Sequence, residues 1–256
     1  MLYEKKKKNG SLCFYNLDDD YINRYYKNKR KNSFTYSYKY NSDIRGFNKG
    51  YDKRFCPIIE YRYNGNKYIA RVNTFGKHSF YNGLAAIAVG LYFGISSKQI
   101  SQSLNCLNSI SQKRMEIQEF SEIKVINDTY NSNPDSVKLG LETIYEYKAN
   151  GKKHIIISDM LEMGKQSEKE HFALGKLIKS LRFDFVYTYG PMSYNIFKGA
   201  KGSKNNYYFE SKEDLAEFLK INIKSGDIAY FKGSRGMKME EVIQNMFKNN
   251  KIKIQK

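Results

Sequence analysis

The sequence predicts an α/β fold whose second half is a doubly wound, mainly parallel, Rossmann-like sheet. Short apolar segments alternate with helical segments from residue 117 to residue 247, and each apolar segment ends at a polar or glycine turn. Strands that alternate with helices pair in parallel through right-handed crossovers, which places helices on both faces of the sheet. Five strand–helix units are predicted, with strands at residues 123–126, 154–157, 185–189, 207–209 and 227–231.

Capping residues predict where the helices of this half begin. Asn133 is suited to be the N-cap, and Pro134 the first residue, of a helix over residues 135–147. Ser167, with Glu170 three residues later, predicts a capping box at the start of the next long helix. Two later helices are predicted at residues 213–221, after Ser211, and at residues 237–247.

A topological rule then selects candidate site residues. In doubly wound sheets, ligands bind beyond the carboxyl ends of the strands. The residues that end or follow the predicted strands are Asp128, Asp159, Gly190, Ser211 and Lys232. We therefore expect a ligand site at this edge of the sheet.

The first half of the chain has weaker signals. Its tyrosine- and lysine-rich sequence, up to about residue 110, predicts largely irregular structure. Within it, residues 58–63 and 68–72 alternate like strands around Asn64-Gly65, which is a hairpin turn signal. Two helices are predicted after the hairpin, one from His78 to a stop at Gly94, the other from Ser96-Ser97 to Leu107.

The bulk composition argues against specific nucleic-acid binding, despite a net charge of +18 on 256 residues. Only nine of the 44 basic residues are arginine, and Tyr reaches 23 while Trp is absent. An excess of Lys, Asn and Tyr indicates a codon bias, whereas specific base and phosphate recognition favours arginine. We therefore predict no specific nucleic-acid partner.

Membrane, disulfide and metal classes are also not indicated. The longest nearly apolar stretch, residues 83–95, is too short to cross a bilayer, and no apolar signal core follows the basic amino terminus. Three cysteines lie far apart and three histidines are scattered, so neither a disulfide framework nor a metal site is predicted. We expect a cytoplasmic protein without a membrane partner.

Two segments at predicted strand ends carry side chains suited to binding. NDTYNSNPDS, residues 127–136, places an acid and several amides where they can hold ribose hydroxyls or an amine, although the same residue types form ordinary turns. KGSRGMKME, residues 232–240, brings a lysine and an arginine to a glycine turn at a helix N-terminus, which favours phosphate or carboxylate. Its alternative is a turn with solvated charges.

Three further segments add candidates. DMLEMGKQSEKEH, residues 159–171, contains His171, which either acts in catalysis or packs. RME, residues 114–116, places an arginine where it reaches a nucleotide phosphate or pairs with an acid. HSFYNGLAA, residues 78–86, puts a histidine and an amide four apart on one helical face, where the amide matches the edge of adenine; capping by Ser79 is the alternative.

These five motifs, in this order and spacing, resemble those of the Mur ligase family. The branch that adds D-alanyl-D-alanine typically carries H-N-x-x-N-A-L-A-A, R-M-E, N-D-S-Y-N-A-N-P-D-S, G-D-M-L-E-L-G and K-G-S-R-G-M-x-M-E. An earlier family element, L-N-x-D-D, is similar to Tyr15-Asn16-Leu17-Asp18-Asp19. The resemblance covers nearly the whole chain and is strong after residue 66.

The resemblance implies a domain organisation and an activity. Residues 1–111 would be the carboxy-terminal part of the central ATP-binding domain, and residues 112–256 the carboxy-terminal α/β domain. The implied reaction joins D-alanyl-D-alanine to UDP-N-acetylmuramoyl-tripeptide through an acyl phosphate, in peptidoglycan precursor synthesis. ATP and Mg²⁺ would be the cofactors of this acid–amino-acid ligase.

The resemblance also implies residue roles. Asn82, with His78, would contact adenine, Arg114 the phosphates and Asp128 the ribose. Arg114 and Asp128 are thereby the catalytic candidates. The amine substrate would be lined by Asn131, Asn133, Asp159, Ser234 and Arg235.

The sequence departs from the family pattern in several places. Ser79 replaces an asparagine beside the helix histidine, and Ser158 replaces the glycine before Asp159. The phosphate-loop pattern G-x-x-x-x-G-K-S/T is absent from the printed sequence, as are the main Mg²⁺ ligands and the uridine-nucleotide domain. We therefore expect a fragment of the ligase that is inactive alone, with a separate chain carrying the amino-terminal half as a candidate partner.

Alternative functions come from other classes. One is a non-catalytic α/β binding module, and another is a basic remnant that binds nucleic acid through its charge. Polyanion binding that weakens steeply with salt and shows no sequence preference would indicate charge alone. A third alternative is another branch of the family, such as folylpolyglutamate synthetase or the ligase that adds the third residue, which the two longest motifs disfavour.

Overall fold

The computed structural model describes residues 12–27, 32–107 and 113–248. The chain divides into two compact units, Met1–Asn108 and Ser109–Lys256. The predicted domain boundary between residues 111 and 112 lies outside the described residues. Within the described ranges, no helix combines the length and apolar character needed to span a bilayer.

The described part of the first unit contains a five-stranded sheet. Its strands are β1 (Cys13–Asn16), β2 (Ser33–Ser37), β3 (Ile44–Tyr51), β4 (Pro57–Tyr63) and β5 (Asn66–Arg71), in this order across the sheet. The first three pair in parallel, and β3, β4 and β5 pair antiparallel. A short helix, α1 (Asp20–Lys27), follows β1.

The prediction of irregular structure is wrong for most of residues 13–51. Strands were missed there because inward-facing positions carry Tyr15, Thr35 and Ser37, all buried, instead of aliphatic residues. The hydroxyls of Thr35 and Ser37 donate to Asp43 at 2.7 Å and to Asp18 at 2.6 Å. Because these polar groups are hydrogen-bonded, their burial does not carry the usual penalty.

The predicted hairpin and the two predicted helices are confirmed. Asn64 and Gly65 connect β4 and β5 with φ of 48° and 78°, the left-handed values that a type I′ turn needs. The helices are α2 (His78–Tyr92) and α3 (Ser97–Asn105). Gly83 lets α2 lie close to the sheet, because an added Cβ would be 2.4 Å from Val72 Cγ2.

The described part of the second unit contains a six-stranded sheet. Its strands are β6 (Glu116–Phe120), β7 (Ile123–Asp128), β8 (Lys153–Ser158), β9 (Phe185–Tyr189), β10 (Asn206–Phe209) and β11 (Ile228–Lys232). They lie in the order β10-β9-β8-β11-β7-β6, and only β6 is antiparallel to its neighbour. The five predicted strands are confirmed. Strand β6 was missed because its half-buried sequence, EIQEF, has only two apolar residues and lacks the regular alternation that indicates a strand.

Helices cover both faces of this sheet, so the doubly wound α/β class is confirmed. They are α4 (Pro134–Glu146), α5 (Ser167–Leu181), α6 (Ser193–Gly199), α7 (Lys212–Asn222) and α8 (Glu240–Met246). Val125 and Phe231 face the core that α7 and α8 share with the sheet. Tyr230 faces the other way and lies against α4, where a Cβ on Gly140 would be 2.0 Å from the tyrosine oxygen. Tyr230 and Phe231 point to opposite faces of the sheet because successive side chains along a strand alternate between its two faces.

Helix starts agree with the sequence for α4 and α7. Asn133 caps α4 by accepting a hydrogen bond from the Ser136 backbone, and Pro134 is the first helical residue. Ser211 caps α7 through the backbone of Asp214. Both side chains satisfy backbone N–H groups that the first helical turn leaves without a partner.

The predicted start of α5 at Ser167 is confirmed, but the predicted capping box there and the predicted start of the last helix are wrong. Ser167 is itself the first residue of α5, because the 3₁₀ turn Gly164–Gln166 leads directly into the helix, so no capping box forms there. The last helix begins at Glu240 and not at residue 237. Its start is delayed because Arg235–Met237 is another 3₁₀ turn and Lys238 is left-handed, with φ of 49°.

The amino edge of the second sheet holds a buried polar network around His154. Its Nε2 lies 3.0 Å from Asp227 Oδ2 and its Nδ1 3.0 Å from the Tyr187 hydroxyl. Burial lowers the pKa of His154, against the opposing hydrogen bond and charge of Asp227. This network lies at the edge opposite the predicted ligand site.

Candidate functional site

The candidate site lies at the carboxyl edge of the second sheet. Strands β7 and β11 end there with Asp128 and Lys232 directly opposite each other. Strand β8 pairs with the other side of β11 and ends at Ser158, which Asp159 follows. The structure therefore brings predicted strand-end residues of three neighbouring strands to one place.

Asp128 is buried and engaged by three donors. Lys232 Nζ lies 2.8 Å from Asp128 Oδ2, the Tyr230 hydroxyl donates to the same oxygen at 3.0 Å, and the Met115 backbone N–H reaches Oδ1 at 3.3 Å. Burial, together with the charge of Asp128, raises the pKa of Tyr230 well above its ordinary value. The phenol therefore stays a donor, and Asp128 stabilises the edge from within. Its predicted contact with a ribose stays a prediction.

The polar loop after β7 is folded by its own side chains. Thr129 donates to Asn127 Oδ1 at 2.8 Å, and both residues are buried. Lys232 Nζ also donates to the carbonyl of Asn131 at 2.7 Å, which ties the loop to β11. The Asn131 and Asn133 side chains are exposed. Asn133 acts as the cap of α4, so Asn131 is the amide better placed to meet a ligand.

Three loops converge on Ser234. Its backbone N–H donates to the Asp159 carbonyl at 3.2 Å, and its hydroxyl accepts from the Leu161 backbone at 2.8 Å. The same hydroxyl donates to the Ser132 carbonyl at 3.4 Å. Ser234 is 5% exposed, so its hydroxyl is an internal connection between the loops more than a surface group.

Asp159 has a comparable internal role. Its carboxylate accepts from the backbone of Ser193 at 2.7 Å and of Met192 at 3.2 Å, at the start of α6. Gly190 must lack a side chain, because its φ is 108° and a Cβ would lie 2.7 Å from Asp159 Oδ1. With 2% exposure, Asp159 fixes the loop after β9, and its predicted contact with the amine stays a prediction.

His171 packs inside the second unit. It is fully buried, its Nδ1 lies 2.7 Å from the Ser167 carbonyl, and its Nε2 accepts from the Met160 backbone at 3.0 Å. Both ring nitrogens are thus engaged in a fixed tautomer. This geometry favours the packing alternative, in which His171 holds the loop that follows Asp159.

Arginine side chains remain at the surface of the site. Arg235 is 57% exposed and its Nη1 donates to Glu240 Oε1 at 2.7 Å. Arg114 is exposed, with its guanidinium carbon 4.2 Å from the centre of the Tyr130 ring. Two cations next to an exposed amide, Asn131, suit an anionic ligand. Tyr130 and Glu240 were missed as their partners, since sequence spacing alone does not indicate these contacts.

The first unit carries the predicted adenine residues on α2. His78 is its first residue and half-buried, and Asn82 is exposed one turn later. Ser79 is buried and its hydroxyl donates to the Phe75 carbonyl at 3.2 Å. The capping alternative for Ser79 is therefore wrong, because α2 begins after Lys77 without a side-chain cap.

The carboxylates after β1 act within the first unit. Asp18 accepts from the Ser37 hydroxyl and from the backbone of Tyr38 and Lys39, at 2.6 to 2.9 Å. Among residues 12–27, 32–107 and 113–248, no group of three or more His, Cys, Asp or Glu could hold a metal ion.

Comparison with known families gives two matches. The model described as Mur ligase middle domain matches residues 1–90, and the one described as Mur ligase, glutamate ligase domain, matches residues 113–235. Among curated relatives, the UDP-N-acetylmuramoyl-tripeptide–D-alanyl-D-alanine ligase of Bacillus subtilis is 36% identical over 68% of this chain and 39% of its own length. The ligase of the same name from Buchnera aphidicola subsp. Acyrthosiphon pisum is 30% identical over 96% of this chain and 54% of its own length.

Solved structures show the same fold. MurF ligase from Thermotoga maritima, in complex with ADP, superposes with a TM-score of 0.79 and 21% identity, over 93% of this chain and 53% of that one. MurF from Acinetobacter baumannii gives 0.81 and 20%, over 93% and 52%. The chain thus spans about half the length of these solved chains.

Proposed function

This chain belongs to the Mur ligase family, and we propose that it supplies the amine-substrate side of an ATP-dependent ligase that adds D-alanyl-D-alanine to UDP-N-acetylmuramoyl-tripeptide. Both relatives described above carry the name of that ligase. The family match and the two sheets support the proposal that the first unit belongs to the ATP-binding domain and the second is the carboxy-terminal domain.

One observation carries the proposal: loops from three neighbouring strands converge on Ser234 at the carboxyl edge of the second sheet. Asn131, Arg114 and Arg235 remain exposed around this convergence. A parallel sheet places ligands at this edge, and exposed cations favour carboxylate or phosphate. The substrate here would be the dipeptide, whose carboxylate suits Arg235.

The proposed chemistry needs alignment and charge stabilisation more than a reactive protein group. An acyl phosphate meets the amine of the dipeptide, and the tetrahedral intermediate collapses to an amide and phosphate. Arg114 and Arg235 would stabilise negative charge on the phosphate and on the dipeptide. The internal bonds of Asp128, Asp159 and Ser234 would hold the substrate loops in register.

The cofactors fit this chain to different degrees. ATP is supported by the exposed Asn82 amide on α2, which has the donor and acceptor that adenine requires. For Mg²⁺ the described residues offer no cluster of ligands, so no step is assigned to the ion on this chain. We place the reaction in the cytoplasm, where its nucleotide-linked substrate would be made.

A reconstituted enzyme tests the proposal. The 256-residue chain is co-expressed with a polypeptide carrying the amino-terminal half of the Bacillus subtilis ligase. We expect phosphate release that requires ATP, the nucleotide-linked tripeptide and D-alanyl-D-alanine together. The Arg235→Ala variant should release phosphate more slowly. A reconstituted pair that binds ATP but releases no dipeptide-dependent phosphate would contradict the proposal.

The 256-residue chain alone has a separate expected outcome. The printed sequence lacks the glycine-rich loop whose backbone N–H groups cradle phosphates in many ATP-binding proteins. We therefore expect negligible ligase turnover and weak ATP binding by this polypeptide. Low-micromolar ATP affinity in an isothermal titration would overturn this expectation.

A further inference from the structure

The segment that presents Arg114 has an unusual backbone. Lys113 and Met115, on either side of it, have φ of 65° and 51°. Neither is glycine, and residues with a side chain rarely adopt this left-handed conformation. Such conformations persist only where the surrounding structure fixes them, and they cluster at functional sites.

Backbone contacts fix part of this segment. The Lys113 carbonyl accepts from the Tyr130 N–H at 3.0 Å, and the Met115 N–H donates to Asp128 at 3.3 Å. The Arg114 guanidinium lies over the Tyr130 ring, an arrangement that attracts a cation to an aromatic face. The segment is thereby tied to the loop after β7.

A side-chain contact ties the same segment to the turn after β11. Glu240 Oε1 accepts from Lys113 Nζ at 2.9 Å and from Arg235 Nη1 at 2.7 Å. The Glu240 side chain is only 13% exposed, and its Oε2 is buried without a hydrogen-bond partner among the described residues. Burial acts to raise the pKa of Glu240, but the hydrogen bond from Lys113 and the nearby cations keep that pKa below its ordinary value. The group is therefore a carboxylate at neutral pH.

We propose that Glu240 is a positioning residue that holds Lys113 and Arg235 in one ionic cluster, the Glu240 clamp (Lys113, Arg235 and Glu240), and so fixes the directions of Arg114 and Arg235. The clamp would align two cations on anionic parts of the substrates, a role that rests on the proposed function. The clamp itself is a property of the second unit and is tested separately.

A neighbouring ion pair involves a more exposed carboxylate. Glu241, the next residue, pairs with Lys212 at 2.6 Å, and its side chain is 45% exposed, against 13% for Glu240. Ion pairs with a solvent-exposed partner contribute little and hold their side chains loosely. Glu240 instead binds Lys113, 127 positions away in sequence, through the same oxygen that accepts from Arg235. Glu241→Gln is therefore a matched control for Glu240→Gln.

Arginine side-chain NMR tests the clamp on the full chain. The nine arginines give few Nε–Hε resonances, so the order parameters of Arg114 and Arg235 can be followed individually. We expect Glu240→Gln to lower both order parameters, and Glu241→Gln to leave them unchanged. Lys113→Met should lower that of Arg114 while Arg235 stays paired with Glu240, which gives a second test if Glu240→Gln does not fold. Unchanged Arg114 dynamics in the folded variants would overturn the proposal.

Kinetics of the reconstituted enzyme then separate the two proposals. Misplacement of an aligning group costs on the order of 10- to 100-fold in rate, so we expect Glu240→Gln to lower kcat by that factor with a smaller change in KM. Glu241→Gln should leave both kcat and KM within about twofold, because the Glu241 carboxylate is partly exposed to solvent and contacts none of the site residues described above. If the reconstituted enzyme without substitutions is inactive while the NMR differences appear, the proposed function is wrong and the clamp is still supported. Equal kcat for the two variants in an active enzyme would overturn the positioning role.

Discussion

Replacing Lys232 with methionine tests how the candidate site is held together. Lys232 Nζ reaches both Asp128 Oδ2 and the Asn131 carbonyl, and its side chain is 3% exposed. Lys232→Met keeps an unbranched apolar side chain but removes the ammonium group, which leaves the Asp128 carboxylate buried with neutral donors only. Removing one partner of a buried ion pair costs about 3–5 kcal/mol, so we expect that loss in the free energy of unfolding.

Urea unfolding of the full chain measures this loss. Small domains lose about 1–3 kcal/mol of stability per molar urea, so we expect the midpoint of the second unit's transition to fall by roughly 2 M. Asp128→Asn in the same chain removes the uncompensated charge. The double variant should therefore be more stable than additivity of the two single variants predicts, by about 1.5 kcal/mol or more.

Lys220→Met is the control for the loss of a lysine. Lys220 pairs with Glu217 three residues earlier on α7, and both side chains are exposed. Its loss should cost less than about 1 kcal/mol. If Lys232→Met shifts the midpoint no more than Lys220→Met does, and its effect adds to that of Asp128→Asn, the buried pair does not hold the site together and the reasoning fails.

Further predictions concern the core, the amino edge and the cysteines. Gly140→Ala should destabilise the second unit by about 1–3 kcal/mol in urea unfolding, because the added methyl group overpacks the core. Adding Tyr230→Phe should recover part of that loss, because the Tyr230 oxygen is the atom nearest to the added methyl group; no recovery would contradict this packing. Burial lowers the pKa of His154, so on acidification the unfolded chain takes up a proton that the folded chain does not. The free energy of unfolding should therefore fall below about pH 6.5, by up to ~1.4 kcal/mol per pH unit. His154→Gln should flatten this pH dependence between about pH 7 and 5.5; equal slopes in the variant and the parent chain would refute the assignment. Burial raises the pKa of Cys56 to about 11, so a thiol reagent at pH 8 should modify exposed Cys106 first and Cys56 only after unfolding; modification of Cys56 at the rate of Cys106 would refute its burial.

Most of the second unit could be predicted from sequence because its strands are conspicuous. Segments such as residues 154–157 and 228–231 are nearly continuous apolar runs between polar turns, as buried parallel strands require. The first unit was less predictable because Tyr, Ser and Thr occupy core positions of its strands. Strand prediction from sequence relies on apolar residues at such positions. Strand β6 was missed for a related reason: it lies at the edge of the sheet, and an edge strand needs apolar residues on only one buried face.

The location of the candidate site could be predicted, but its internal connections could not. Topology alone selects Asp128, Asp159 and Lys232 as edge residues. Nothing in the sequence indicates that the Asp159 carboxylate accepts from the start of α6, or that Glu240 meets Lys113. These contacts join segments far apart in sequence, and they depend on side-chain directions that only the folded chain fixes.

Backbone NMR of the full chain during titration with D-alanyl-D-alanine shows which edge of the second sheet binds the dipeptide. We expect chemical-shift changes at Asn131, Ser132, Leu161, Ser234 and Arg235, with much smaller changes for L-alanyl-L-alanine at the same concentrations. Changes confined to the amino edge around His154, or the same response to both dipeptides, would contradict the assignment of the carboxyl edge as the amine-substrate site.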